Sequence, residues 1–174
     1  MKRIFIVCLV SLLLFANCQK KEEPKVQTPY PAGPVHGEGE ITLLQERVKQ
    51  NPKDVSAWIE LGNVFMDTSR FLEAIAAYQK ALELDPKNVD VRVDMGTCYR
   101  NIGEAVRAAQ EYRKAIAINP THLKAHRNLG VVLAFDLRDK KQAIKEFEEY
   151  LRLSPNAPDA YRVKQEIVRL KTIQ

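Results

Sequence analysis

A word that returns every 34 residues constrains this chain more than any other feature. Trp58-x2-Leu61-Gly62-x2-Phe65, Arg92-x2-Met95-Gly96-x2-Tyr99 and His126-x2-Leu129-Gly130-x2-Leu133 keep their glycines at that one spacing. A second word follows each: Ala74-x3-Tyr78-x2-Ala81-x4-Pro86, Ala108-x3-Tyr112-x2-Ala115-x4-Pro120 and Ala143-x3-Phe147-x2-Tyr150-x4-Pro155. A period of this length marks stacked supersecondary units, each too small to bury its apolar face alone.

Spacing inside one unit predicts its secondary structure. Trp58, Leu61, Val64 and Phe65 recur at helical intervals, Thr68-Ser69-Arg70 interrupts, and Phe71, Ala74, Ile75, Tyr78, Ala81 and Leu82 resume the pattern. Two short amphipathic helices joined by a tight turn follow. A mid-helix glycine costs about 1 kcal/mol relative to alanine, so Gly62, Gly96 and Gly130 imply a close approach that admits no side chain. Ala74, Ala108 and Ala143 are the expected small residues opposite. Pro86, Pro120 and Pro155 end each second helix, because proline lacks the N–H and clashes with the preceding turn.

The paired words resemble the tetratricopeptide repeat (TPR), and the resemblance implies an all-α fold, a right-handed solenoid of helix-turn-helix repeats. Three full repeats fall at 55–88, 89–122 and 123–156, within a TPR domain at 41–174. Ile41, Leu44 and Val48 precede Pro52, which lies 34 residues before Pro86, so this segment reads as the second helix of a half-repeat. Residues 157–174 read as a capping helix, with Ala160, Val163, Ile167 and Leu170 on one stripe and Lys164 at the glycine place. Between Leu133 and Ala143 the third repeat carries one extra residue, expected to lengthen the turn around Asp136 to Lys140.

Ahead of the repeats, Met1-Lys2-Arg3, an apolar run from Ile4 to Phe15 and Ala16-Asn17-Cys18 have the order of a signal peptide at 1–17. The run is shorter than the roughly 20 apolar residues a spanning helix needs. Phe15-Ala16-Asn17-Cys18 resembles a bacterial lipobox, which implies cleavage before Cys18 and its acylation. Asn17 departs from the small residue the pattern prefers, and the competing reading is cleavage near Ala16 with Cys18 left as a thiol. Gln19 lacks the Asp associated with inner-membrane retention, which favours the outer membrane, facing the periplasm. Residues 18–40 then form a linker, where Pro24, Pro29, Pro31, Pro34, Gly33, Gly37 and Gly39 interrupt any apolar period. Loss of Lys2 and Arg3 lowers the formal charge from +5 to +3, too mild to demand nucleic acid.

Chemistry-bearing constellations are scarce. Neither a nucleophile elbow, a phosphate-cradling glycine loop, a paired-cysteine motif nor HExxH occurs, so no enzyme, cofactor or small-molecule substrate is expected. His122 and His126 are four apart, but His126 occupies the Trp58 slot and no third ligand is evident, so no metal is expected. Cys98 shares its slot with Val64 and Val132 and reads as a buried hydrophobe.

Function is therefore expected on the concave face that the resemblance assigns to first helices. That face carries Ile59, Asn63 and Met66, then Val93, Thr97, Arg100 and Asn101, then Lys124, Arg127, Val131 and Phe135. The apolar members offer contact, while Arg100, Lys124 and Arg127 could hold a carboxylate of a peptide. A TPR subclass grips chaperone C-terminal carboxylates through slots that here fall on Ile59, Asn63, Asp94, Lys124 and Asn128. Only Asn63 and Lys124 match, and Asp94 would repel the anion. The expected role is a lipid-anchored scaffold or assembly factor for pilus, secretin or outer-membrane complexes. The alternative is an adaptor for peptidoglycan hydrolases or synthases.

Overall fold

The computed structural model describes residues 37–172, so the signal segment, Cys18 and most of the linker lie outside the described residues. Within them the chain is helical throughout: α1 (Glu38–Gln50), α2 (Val55–Asp67), α3 (Phe71–Leu84), α4 (Val89–Asn101), α5 (Ala105–Ile118), α6 (Leu123–Val131), α7 (Lys140–Leu153) and α8 (Ala160–Thr172). A π-helical turn, Val132–Asp136, continues α6. The pairs α2–α3, α4–α5 and α6–α7 are the three repeats, and α1 and α8 flank them as expected.

Local chemistry sets each boundary. Asp54, Asn88 and His122 cap the first helices, accepting from the backbone N–H of Ala57, Val91 and Ala125 at 3.0, 3.1 and 3.2 Å. The second helices stop at Leu84, Ile118 and Leu153, two residues before each proline. The proline-borne carbonyls then serve the next repeat. Trp58 Nε1 donates to Pro52 O at 3.0 Å, Arg92 Nη2 to Pro86 O at 2.8 Å, and His126 Nε2 to Pro120 O at 3.0 Å. Three unlike side chains thus make one equivalent bond.

Their counterparts on the second helices change in step. Trp58 shares an apolar pocket wall with Ala77. Arg92 instead meets buried Glu111 at 3.0 Å, and His126 Nδ1 meets Glu146 at 2.7 Å. Bulk against a small residue in the first repeat becomes charge against charge in the second.

The core runs unbroken from Ile41 to Leu170, with Tyr78, Tyr112 and Phe147 its largest fully buried side chains. These rings explain the glycines. A Cβ on Gly62 would lie 2.5 Å from the Tyr78 ring, one on Gly96 2.7 Å from Tyr112, and one on Gly130 2.6 Å from Phe147. The expectation that Ala74, Ala108 and Ala143 oppose the glycines is therefore corrected: those alanines are fully buried, but the aromatic ring one turn later fills the glycine notch.

The extra residue of the third repeat also sits elsewhere than expected. The three interhelical turns are alike, with Ser69, Gly103 and Arg138 at φ of 60°, 83° and 58°. What differs is the helix before the turn. Thr68 N–H reaches Val64 O and Ile102 N–H reaches Cys98 O, spans of four, whereas Leu137 N–H reaches Val132 O, a span of five. The residue is absorbed as a π-bulge in the last turn of α6, which keeps the left-handed residue of the turn and lengthens its closing bond, from Asp139 N–H to Leu133 O, to a span of six.

The extra residue moves the register of α8 by one. Ala160 N–H bonds to Ala157 O as Ala125 N–H bonds to His122 O, so the glycine slot falls on Gln165, not Lys164. Ala160, Val163, Ile167 and Leu170 are buried as expected. The outer face is less polar than expected, because Tyr161 and Val168, in the slots of Trp58 and Phe65, are 73% and 62% exposed. At the other end α1 begins at Glu38 rather than at 41. Glu38 and Glu40 occupy its first turn, where the helix dipole favours carboxylates and offsets the cost of Gly39.

Two stability predictions follow from these contacts. Gly96→Ala should destabilise the domain by about 1–3 kcal/mol in urea unfolding, because overpacking against Tyr112 outweighs the gain in helix propensity. Glu111→Ala, which strands Arg92, should cost on the order of 3 kcal/mol. Adding Arg92→Trp rebuilds the Trp58–Ala77 arrangement and should recover most of that loss in a double-mutant cycle.

Candidate functional site

The first helices α2, α4 and α6 line one face, and α8 continues it as a fourth. Ile59, Asn63, Met66, Thr97, Arg127 and Val131 are half-buried there, while Arg100, Asn101, Lys124 and Phe135 are exposed. Val93 is a correction: at 1% exposure it belongs to the core and presents nothing to a ligand.

Second helices supply the floor through the same rings that fill the glycine notches. Tyr78 Oη donates to Asn63 Oδ1 at 2.7 Å. Tyr112 Oη lies 3.1 Å from Thr97 Oγ1, whose own proton goes to Val93 O at 3.0 Å, so the tyrosine is the donor. Burial pushes both phenols above their ordinary range, which keeps them protonated as donors. The third repeat replaces both partners at once, with Phe147 for tyrosine and Val131 for Asn63 or Thr97. Its floor is consequently apolar.

A cavity of about 260 Å³ opens on that floor, lined by Val131, Phe135 and Phe147 and rimmed by Arg127, Asp159, Arg162 and Glu166. Phe135, within the π-helical turn, is 48% exposed, with Arg169 5.4 Å over its ring. Half of the rim comes from α8, which sequence reasoning treated only as a cap. A signal was present: stepping 35 residues from Lys124, Arg127 and Val131 lands on Asp159, Arg162 and Glu166.

Two of the three cations expected to hold a ligand carboxylate, Arg100 and Arg127, already pair with carboxylates of this chain. Arg100 Nε bonds to Asp136 Oδ2 at 2.6 Å, and Arg127 Nε bonds to Asp159 Oδ2. Asp159 also accepts from Tyr150 Oη through its other oxygen. The Tyr150 hydrogen bond, then the Arg127 guanidinium, hold its carboxyl below the ordinary value of 3.8. Lys124 alone of the three expected cations forms no ion pair among the described residues.

Neither histidine is set out for a metal. His122 spends Nδ1 on the α6 cap and points Nε2 at Asp90, while both nitrogens of His126 face acceptors. No group of three metal-ligating side chains occurs among the described residues. Cys98 is fully buried, and burial pushes its thiol up to about 12.

Because the native Asp159 pKa is depressed, its stabilisation is complete above the unfolded value and is lost as pH falls through the lower folded one. Stability should therefore hold above about pH 5 and decline below 3.8. Asp159→Asn should remove that part of the acid limb in pH-dependent thermal melts.

Comparisons with known proteins agree with this geometry. A crystal structure of MamA superposes with a TM-score of 0.68 at 24% identity, covering 76% of this chain and 83% of that one. The first TPR of Spaghetti (RPAP3), solved bound to the HSP90 peptide SRMEEVD, gives 0.61 at 25% identity, covering 67% and 92%. The Sgt2 TPR domain from Aspergillus fumigatus gives 0.61 at 26%, covering 68% and 77%. No curated protein sequence matches significantly. The sequence pattern of the family described as the cytochrome c-type biogenesis protein H TPR domain matches residues 41–161. With well over half of the chain matched, and with the repeats, notches and turns described above, the protein belongs to that TPR family.

Proposed function

We propose that this protein is an exported, lipid-anchored scaffold that holds a segment of another cell-envelope protein in the groove of its first helices. The observation that carries the reading is the apolar-floored cavity beside Phe135, set at one end of a floor that is otherwise polar. It has room for one apolar side chain of an extended or helical segment, with polar rim groups to orient the chain around it. Two findings support a protein ligand: the family description names a biogenesis protein, and a neighbour of the same fold was solved with a peptide bound. Export and anchoring rest on Met1-Lys2-Arg3, the apolar run and Cys18, with the linker as tether and the outer membrane as destination.

Mild crosslinking and affinity capture from membranes should recover secretion, pilus or outer-membrane assembly components. Cell-wall enzymes instead would favour the peptidoglycan-adaptor role, and recovery of neither would end the scaffold reading. Phe135→Asp should abolish capture while changing stability by no more than about 0.5 kcal/mol, since the ring is surface-exposed. Cys18→Ser should move the protein out of the detergent phase, and unchanged partitioning would refute the anchor.

A further inference from the structure

Charge on the groove is distributed unevenly in its availability. The arginines of this face are paired within the chain: Arg100 with Asp136, Arg127 with Asp159 and Arg169 with Glu166, with Arg162 3.9 Å from Asp159. Each already faces a carboxylate of this chain, so a ligand carboxylate would meet a charge that is partly answered. In the middle of the face the situation is reversed. Asp94, half-buried on α4, lies among Asp90 one turn before it, Asp67 of α2, and His122 and Lys124 of α6. Asp90 is engaged by His122 Nε2 at 3.0 Å. Lys124 acts on Asp94 only through space, and no hydrogen bond or ion pair reaches the Asp94 carboxylate among the described residues.

A half-buried carboxylate without a partner is expensive, because burial removes water without supplying a replacement charge. Burial accordingly pushes the Asp94 carboxyl above its ordinary range; Lys124 and His122 pull it back, and Asp90 and Asp67 add to the rise. A ligand cation would relieve this cost directly. A ligand anion would raise it.

We propose that the groove's partner presents an arginine or lysine side chain to Asp94, in the same segment as the apolar side chain that enters the Val131–Phe135 cavity. The inference rests on the groove reading above and specifies its chemistry. It makes this groove opposite in preference to one built for an acidic peptide such as SRMEEVD, the ligand of the structurally similar Spaghetti domain.

The test uses the full chain and short synthetic peptides with one leucine or phenylalanine and, at scanned spacings, one arginine, glutamine or glutamate, read by fluorescence polarisation. Arginine peptides should bind tightest and glutamate peptides weakest. Asp94→Asn should weaken arginine peptides by about tenfold, the loss of one charged hydrogen bond, and leave glutamine peptides unchanged. Its melting temperature should not fall, since the isostere removes an uncompensated charge. Asp94→Lys should transfer the preference to glutamate. If wild type prefers glutamate peptides and Phe135→Asp abolishes that binding, the groove reading stands and this inference is overturned. Arginine peptides indifferent to both Asp94→Asn and Phe135→Asp would overturn both, as would binding of no peptide.

Discussion

The structure depends on one contact made three times: an aromatic ring of a second helix seated in a glycine notch of the first. Tyr78 on Gly62, Tyr112 on Gly96 and Phe147 on Gly130 leave no space for even a methyl group. Each ring is fully buried, so the apolar area removed from water is large, and the notch fixes both the closeness and the rotation of the helix pair. A mid-helix glycine is unfavourable by itself. Here it is the condition for seating the ring, and the repeat period follows from satisfying it again and again.

That contact also decides what lines the groove, because the tip of each buried ring lies beneath a groove residue of the first helix. Where the ring is tyrosine, its hydroxyl needs a partner, and the groove residue is Asn63 or Thr97. Where it is phenylalanine, no partner is needed, and the groove residue is Val131. The polar floor of the first two repeats and the apolar floor of the third therefore differ in step with a single oxygen atom, present in two repeats and absent from the third. The Trp58, Arg92 and His126 slots vary in the same coupled way: each keeps the bond to a proline-borne carbonyl and adjusts its second-helix counterpart to match.

Charge follows a different rule. Surface arginines at the α8 end find carboxylates within the chain, which costs side-chain entropy but needs no ligand. Asp94 finds no partner among the described residues and is held half out of water by its neighbours. Counting cations by sequence position does not reveal which charges the chain has already answered.

The sequence by itself determined the helix pairs, their order, the proline-terminated ends and the family, because periodic apolar spacing and a missing side chain are local, one-dimensional signals. Burial of Cys98 was also legible, from the slot it shares with Val64 and Val132. Tertiary structure alone decided what fills the glycine notches, that Val93 is core, that Arg100 and Arg127 are spoken for, and that α8 is a wall of the groove as well as a cap. It also decided where the extra residue goes. An insertion between Leu133 and Ala143 is visible in sequence, but a π-bulge and a longer turn differ only in which carbonyl each N–H reaches. That choice belongs to three-dimensional hydrogen bonding.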